Sequence, residues 1–303
     1  MNPDLLAQMT KLIRYDRSGS FLCKKRREQA FTTFLNYVSA EYSKRKISNI
    51  NNKHIVSYVA MRLARGISIK SIKTELSAIR HYLDLAGAHA SVTNEELGLQ
   101  NPPKTAKQGA FEAEIDRAVS VAKPDIQNAI ILMANFGLRE NEASSISIGQ
   151  LLDAKDKKYL RIKGKGGRIR NIPVETSDQV SVLENSIQNI GRFNGNLKHR
   201  DDKFFADNTK GSVLRFKRRL SQFWIRKQKL IADPDRQDSI SNHDLRRYYA
   251  QQQYCRARRS GKSKEAALGI VSKDLGHGYR TENDAVVGTR RSDIARVYVA
   301  DKS

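Results

Sequence analysis

Four segments of this chain, with several tyrosines, combine cations, imidazoles and phenols in ways that suit chemistry on a phosphate. In Gly137-Leu138-Arg139-Glu140-Asn141-Glu142 an arginine stands just beyond a glycine fit to end a helix, so its guanidinium projects where the chain turns. Arginine grips phosphate through two parallel hydrogen bonds and keeps its charge. In Lys163-Gly164-Lys165-Gly166-Gly167-Arg168, Lys165 sits on a glycine-rich turn, able to enter a groove and to protonate a leaving oxygen if nearby cations lower its pKa. In Ser241-Asn242-His243-Asp244-Leu245-Arg246, His243 and Arg246 lie three residues apart and share a helix face. Asp274-Leu275-Gly276-His277-Gly278 holds a histidine between glycines, and beyond it or near it stand Tyr248, Tyr249, Tyr254, Tyr279 and Tyr298. A phenol with a pKa near ~10 becomes a nucleophile where cations or a base offset that value. Taken singly, each segment has a plainer reading: an exposed helix-end arginine, a solvated basic turn, a surface pair.

The elements that must position these groups fall into two parts. Phe31, Phe34, Leu35, Val38 and Tyr42 share one face at helical spacing, as do Ile55, Val59 and Leu63 after the Asn49–Asn52 turn. Ser68 is suited to cap a third helix carrying Ile69, Ile72, Leu76, Ile79 and Leu83. Asn101-Pro102-Pro103-Lys104 reads as a stiff connector, which sets domains at 1–105 and 106–303. In the second part, Pro124 opens a helix that Gly137 stops. Tyr159–Lys163 and Arg168–Val174 read as a β-hairpin around the glycine turn, and Lys203–Ala206 as a further short strand. Helices are predicted over Ser212–Leu230, Asn242–Ala257, Ser263–Lys273 and Ser292–Ala300.

Composition says what such a chain would act on. The net charge is +23, divided as +9 over residues 1–105 and +14 over 106–303, so both parts are able to meet a polyanion. A basic surface concentrates phosphates and gains affinity by counterion release. Two cysteines, Cys23 and Cys255, build neither a disulfide framework nor a metal site, which suits a reducing compartment. The sequence shows no apolar signal core and no segment of membrane-spanning length, so a soluble, cytoplasmic protein with no membrane partner is expected.

In order, an Arg, a Lys on a glycine-rich hairpin, His-x-x-Arg, Leu-Gly-His and a late Tyr resemble the tyrosine recombinase (phage integrase) family over about residues 106–303. The first hundred residues resemble that family's core-binding domain in size, charge and helix content. The resemblance implies a mainly α fold with a small antiparallel β-sheet, built as a two-domain DNA clamp. It implies a site-specific recombinase that cuts and rejoins double-stranded DNA through a 3′-phosphotyrosyl intermediate and a Holliday junction, as a homo-tetramer on DNA, with accessory DNA-bending proteins as further partners. Carried over, Arg139 and Arg246 would hold the scissile phosphate's non-bridging oxygens and Lys165 would protonate the departing 5′ oxygen. His243 would move protons at the nucleophile, His277 would hydrogen-bond the phosphate, and Glu142 would order the helix bearing Arg139. Tyr298 has the order the family demands and is the expected nucleophile; Tyr279 lies too close to His277 to swing independently. The interval of 21 residues between His277 and Tyr298 exceeds that of compact members and reads as a flexible loop. No metal and no nucleotide cofactor are implied, because the phosphotyrosine bond conserves the energy of the one it replaces. A type IB topoisomerase or telomere resolvase would share this chemistry, and a DNA-binding architectural protein would share the charge alone.

Overall fold

The computed structural model describes residues 1–19, 21–88, 90–100, 109–164, 167–277, 279–282, 285–290 and 298–299. The chain divides into two compact units, Met1–Pro103 and Lys104–Ser303.

The first unit is helical: α1 (Pro3–Tyr15), α2 (Phe21–Tyr42), α3 (Asn52–Ala64) and α4 (Ile69–Leu85). Polar caps set its boundaries. Asn2 accepts the Asp4 N–H ahead of Pro3, and Ser68 accepts the Ser71 N–H at the start of α4. Phe31, Phe34, Leu35 and Val38 of α2 are buried against Tyr58 of α3 and Tyr82 of α4, with ring centroids 4.9 Å apart for Phe31–Tyr82 and 5.2 Å for the edge-on pair Phe34–Tyr58. Leu63 departs from its predicted face: in the last turn of α3 it is 44% exposed, past the reach of the aromatic core. Helix α1 buries Leu5 and Met9, with Leu12 and Ile13 of the same face packed against the core. The connector expected at Asn101–Lys104 lies outside the described residues.

The second unit runs α5 (Glu112–Val121), α6 (Pro124–Phe136), α7 (Glu140–Ser144), α8 (Ile148–Lys157), β1 (Tyr159–Lys163), β2 (Ile169–Pro173), α9 (Ser177–Gln188), α10 (Ser212–Ile231), α11 (Asn242–Arg259), α12 (Lys264–Asp274), β3 (Tyr279–Glu282) and β4 (Ala285–Arg290). Mainly helical with small antiparallel sheets, this is the fold class expected. Gly137 ends α6 at φ +58°, and a side chain there would strike the ring of Tyr249 from α11. Strands β1 and β2 pair antiparallel from Tyr159↔Pro173 to Lys163↔Ile169. Their inward faces carry Leu160 and Ile162 on one strand, Arg170 and Ile172 on the other.

Two expectations change. Lys203–Ala206 is not a strand; one isolated bridge joins Ser147 and Lys203, while Phe204 and Phe205 are buried as core aromatics. The interval after His277 is not a plain loop, because β3 and β4 pair antiparallel within it. The helix predicted over Ser292–Ala300 falls mostly on residues outside those described. No described helix is long and apolar enough to cross a membrane.

A buried ion pair ties the segment before α11 to α5. Arg236 donates through Nε and Nη2 to the two oxygens of Glu114 at 2.7 and 2.8 Å, through Nη2 to the Gly109 carbonyl and through Nη1 to Asp238. Both side chains of the central pair are fully buried.

Candidate active site

The site is built in the second unit around one carboxylate. Arg139 is the residue before α7, and its backbone N–H and Nη1 both donate to Glu142, at 2.7 and 2.8 Å. Glu142 is nearly buried and also accepts a two-pronged donation from Arg170 on β2, Nη1 to Oε1 at 2.8 Å and Nη2 to Oε2 at 2.6 Å. Arg246 of α11 brings a third guanidinium, its Nη1 3.9 Å from Glu142 Oε2. Burial alone would push the Glu142 carboxyl up, but the hydrogen bonds and charge of Arg170, with Arg139 and Arg246, bring it to about 2. It is an anion at any working pH.

Arg246 is the largest fully buried side chain. It donates to the Gly137 and Leu275 carbonyls, so α11 grips the end of α6 and the end of α12 together. Its Nε has no hydrogen-bond partner among the described residues. Burial, then Arg139 and Arg170, pull its pKa down to about 9, which leaves it charged at neutral pH. Arg139 keeps 35% of its side chain exposed and engages Glu142 through Nη1. Three cations against one anion leave the cluster short of negative charge.

The imidazoles stand beside this cluster. His243 lies in the first turn of α11, where Ser241 and Asp244 cap the helix: Asp244 Oδ2 accepts the Ser241 N–H at 2.8 Å. Partial burial, with Arg247 and Arg246 next, lowers His243 to about 4 even though one edge of the ring meets solvent. It is therefore neutral near pH 7 and free to take a proton. His277 follows Gly276, which turns the chain at φ +67° after α12, and is 7% exposed. Beneath it Tyr249 donates to Asp274, whose carboxyl is raised to about 6 chiefly by burial.

Tyr298 completes the arrangement. Its ring centroid is 5.2 Å from His243, 5.5 Å from His277, and 5.8 Å from the Arg246 guanidinium that faces it. Val299 beside it is buried in the core. The competing Tyr249 and Tyr254 are core residues. His243, Arg246 and His277 meet around the Tyr298 ring, and Glu142 links Arg246 to Arg139, so four separate stretches of the sequence come together. Lys165 lies outside the described residues, but its neighbour Gly164 is at the site: a Cβ there would be 3.3 Å from Glu142 Oε1 and 3.6 Å from Arg139 Nη1. Arg170 is the member that motif reading missed. Strand parity could have found it, because Ile172 faces the core and the residue two before it must do the same. The described residues contain no group of acidic, His or Cys side chains fit to hold a metal ion. Chemically, the pocket offers fixed cations, a neutral base and a phenol, the set needed for attack on a phosphodiester.

Comparison with known proteins bears on the N-terminal unit and on the fold. Residues 3–92 match the family model described as phage integrase, N-terminal. Tyrosine recombinase XerC of Pseudomonas syringae pv. syringae (strain B728a) is 24% identical over 136 residues, 42% of this chain and 45% of that protein. The chain spans about half the length of the curated relatives it matches. Among solved structures, the Tn1549 transposon integrase in complex with transposon right end DNA superposes with a TM-score of 0.63 at 12% identity, covering 98% of this chain and 95% of that one. A lambda integrase tetramer bound to a Holliday junction gives 0.59 at 13%, covering 96% and 77%. At such identities the structural likeness is one of fold.

Proposed function

We propose that this chain, a tyrosine recombinase by fold and by its N-terminal family match, is a site-specific DNA recombinase that cleaves and rejoins strands through a 3′-phosphotyrosyl intermediate. The observation that carries the reading is the position of the Tyr298 ring between two imidazoles and over a guanidinium. In this reading the Tyr298 oxygen attacks phosphorus, its proton passing toward His243, while the bond to the 5′ oxygen breaks and that oxygen takes a proton from Lys165. Arg139 and Arg246, with His277, neutralise the charge that builds on the non-bridging oxygens in the transition state. The free 5′ hydroxyl of a second duplex reverses the step, which yields strand exchange through a Holliday junction. The clamp roles of the two units (core-binding for 1–105, catalytic for 106–303), a homo-tetramer on DNA, DNA-bending helpers, and action on a mobile element at the bacterial nucleoid in the cytoplasm belong to the same proposal. The two DNA-bound proteins of like fold named above are integrases, which favours recombination over topoisomerase or resolvase activity.

The test uses nicked duplexes selected by this protein from a randomised DNA pool. The wild type is expected to form an adduct that survives SDS, while Tyr298→Phe binds DNA with the same salt sensitivity and forms none. An adduct from the substituted chain removes Tyr298 from its role, and no adduct from the wild type favours a binding protein without chemistry.

A further inference from the structure

The proposed chemistry leaves Arg170 without a task, although its side chain is buried in the site. It occupies an inward position of β2, opposite Ile162, where a strand facing a core ordinarily carries an apolar residue. Burying a guanidinium there costs free energy that pairing of its charge offsets, and its Nε has no hydrogen-bond partner among the described residues. The pairing is with Glu142, one nitrogen to each oxygen, at 2.8 and 2.6 Å. The same carboxylate holds the backbone N–H and Nη1 of Arg139. Arg170 also lies close to the two glycines that precede His277 and Lys165 in sequence. A Cβ on Gly276, before His277, would fall 2.9 Å from Arg170 Cδ, and one on Gly164, before Lys165, would fall 3.4 Å from its Nη1.

From this geometry we infer that Arg170 is a positioning residue for strand cleavage: by clamping both oxygens of Glu142 it sets Arg139, the turn before Lys165 and the Gly276-His277 corner in register about one phosphate. The inference rests on the reading of this pocket as a phosphoryl-transfer site. Lysine cannot replace the clamp, since a single ammonium does not span two carboxylate oxygens in a fixed plane. Glu142 is faced by Arg139, by Arg170 from β2 and by Arg246 from α11, and Arg170 also acts on Asp274 of α12. Removing Arg170 takes away the largest influence that opposes burial, so the Glu142 carboxyl moves up toward the assay range. Once protonated it no longer holds Arg139 by charge.

Single-turnover cleavage of the selected nicked duplexes, at saturating full-length protein and across pH, tests this. Arg170→Lys is expected to cleave about 100-fold more slowly, as a displaced catalytic group does, with DNA affinity nearly unchanged. Arg170→Gln is expected to lose rate as pH falls through a range where the wild type is flat, and adding Glu142→Gln is expected to abolish that pH dependence while leaving cleavage slow. A merely structural role would lower the folded fraction without bending the pH profile, so a slow variant whose profile parallels the wild type overturns the inference, as does wild-type rate. If Arg170→Gln does not fold, the double variant decides alone, because it removes both members of the Arg170–Glu142 pair together: slow, pH-independent cleavage supports the inference and wild-type rate overturns it. Lack of an adduct from the wild type would bring down the parent reading as well. Normal wild-type cleavage with indifferent Arg170 variants brings down this inference only.

Discussion

Two buried carboxylates in the second unit, Glu114 and Glu142, show how alike a brace and an active site look until their charges are counted. Glu114 meets one arginine, Arg236, which spends its donors on Glu114, on Asp238 and on the Gly109 carbonyl. That pair is closed: both side chains are fully buried and the positive charge is matched. Glu142 instead meets Arg139, Arg170 and Arg246, and beside it Arg246 has an unpartnered Nε and Arg139 an exposed edge. A brace is neutral and saturated. The Glu142 cluster carries surplus positive charge that a phosphate would balance, which is the condition under which fixed cations stabilise a transition state more than a resting fold.

That contrast can be broken in several ways, the largest effect first. Arg139→Ala is expected to slow single-turnover cleavage about 1000-fold, the scale of losing one donor to transition-state charge, while DNA affinity falls far less. Comparable losses in both would make Arg139 an ordinary phosphate contact. Arg236→Met should do the reverse. Leaving Glu114 buried and alone is expected to cost about 3 kcal/mol in urea unfolding, with the cleavage rate of the folded protein intact.

A smaller effect concerns the support under His277. The Asp274 carboxyl sits near 6 because burial favours its neutral form, against 3.8 for the group in water. As pH rises from about 4 to 6 the unfolded chain ionises first, so stability contributed below pH 4 is lost above 6. Asp274→Asn is therefore expected to stabilise the protein by about 2 kcal/mol at pH 8 and not at pH 4. An equal effect at both pH values would assign the change to packing. The smallest effect is ligand linkage: inorganic phosphate should raise the unfolding midpoint by less than about 1 kcal/mol of stability. Arg139→Ala should abolish that rise and Arg236→Met should retain it.

What could be read from the sequence was whatever one residue decides locally. Ser68 caps α4, Gly137 stops α6 at positive φ, and the glycine-rich segment lies between the two strands of the expected hairpin, because each depends on a cap or backbone freedom that residue type determines. Order along the chain was enough to nominate Arg139, His243, Arg246, His277 and Tyr298. The harder features depend on tertiary partners. Phe204 and Phe205 resemble a strand in isolation but are buried among Phe193 and Phe216, where packing needs rings and no ladder. Helices α5, α8 and α9 are short amphipathic pieces whose burial their neighbours supply. Arg170 was hidden for a similar reason: its partner, Glu142, lies 28 residues away in sequence, and only the folded hairpin brings them together.

The central claim is that the unbalanced cluster presents a phosphate to one phenol. The most direct measurement traps the covalent complex on a nicked duplex, digests the protein, and locates the nucleotide-bearing peptide by mass spectrometry. The modification is expected on the Tyr298 hydroxyl. Its presence on Tyr279, Tyr248 or any serine would mean that the pocket around Glu142 serves a different nucleophile, and the account given for Tyr298 would fail.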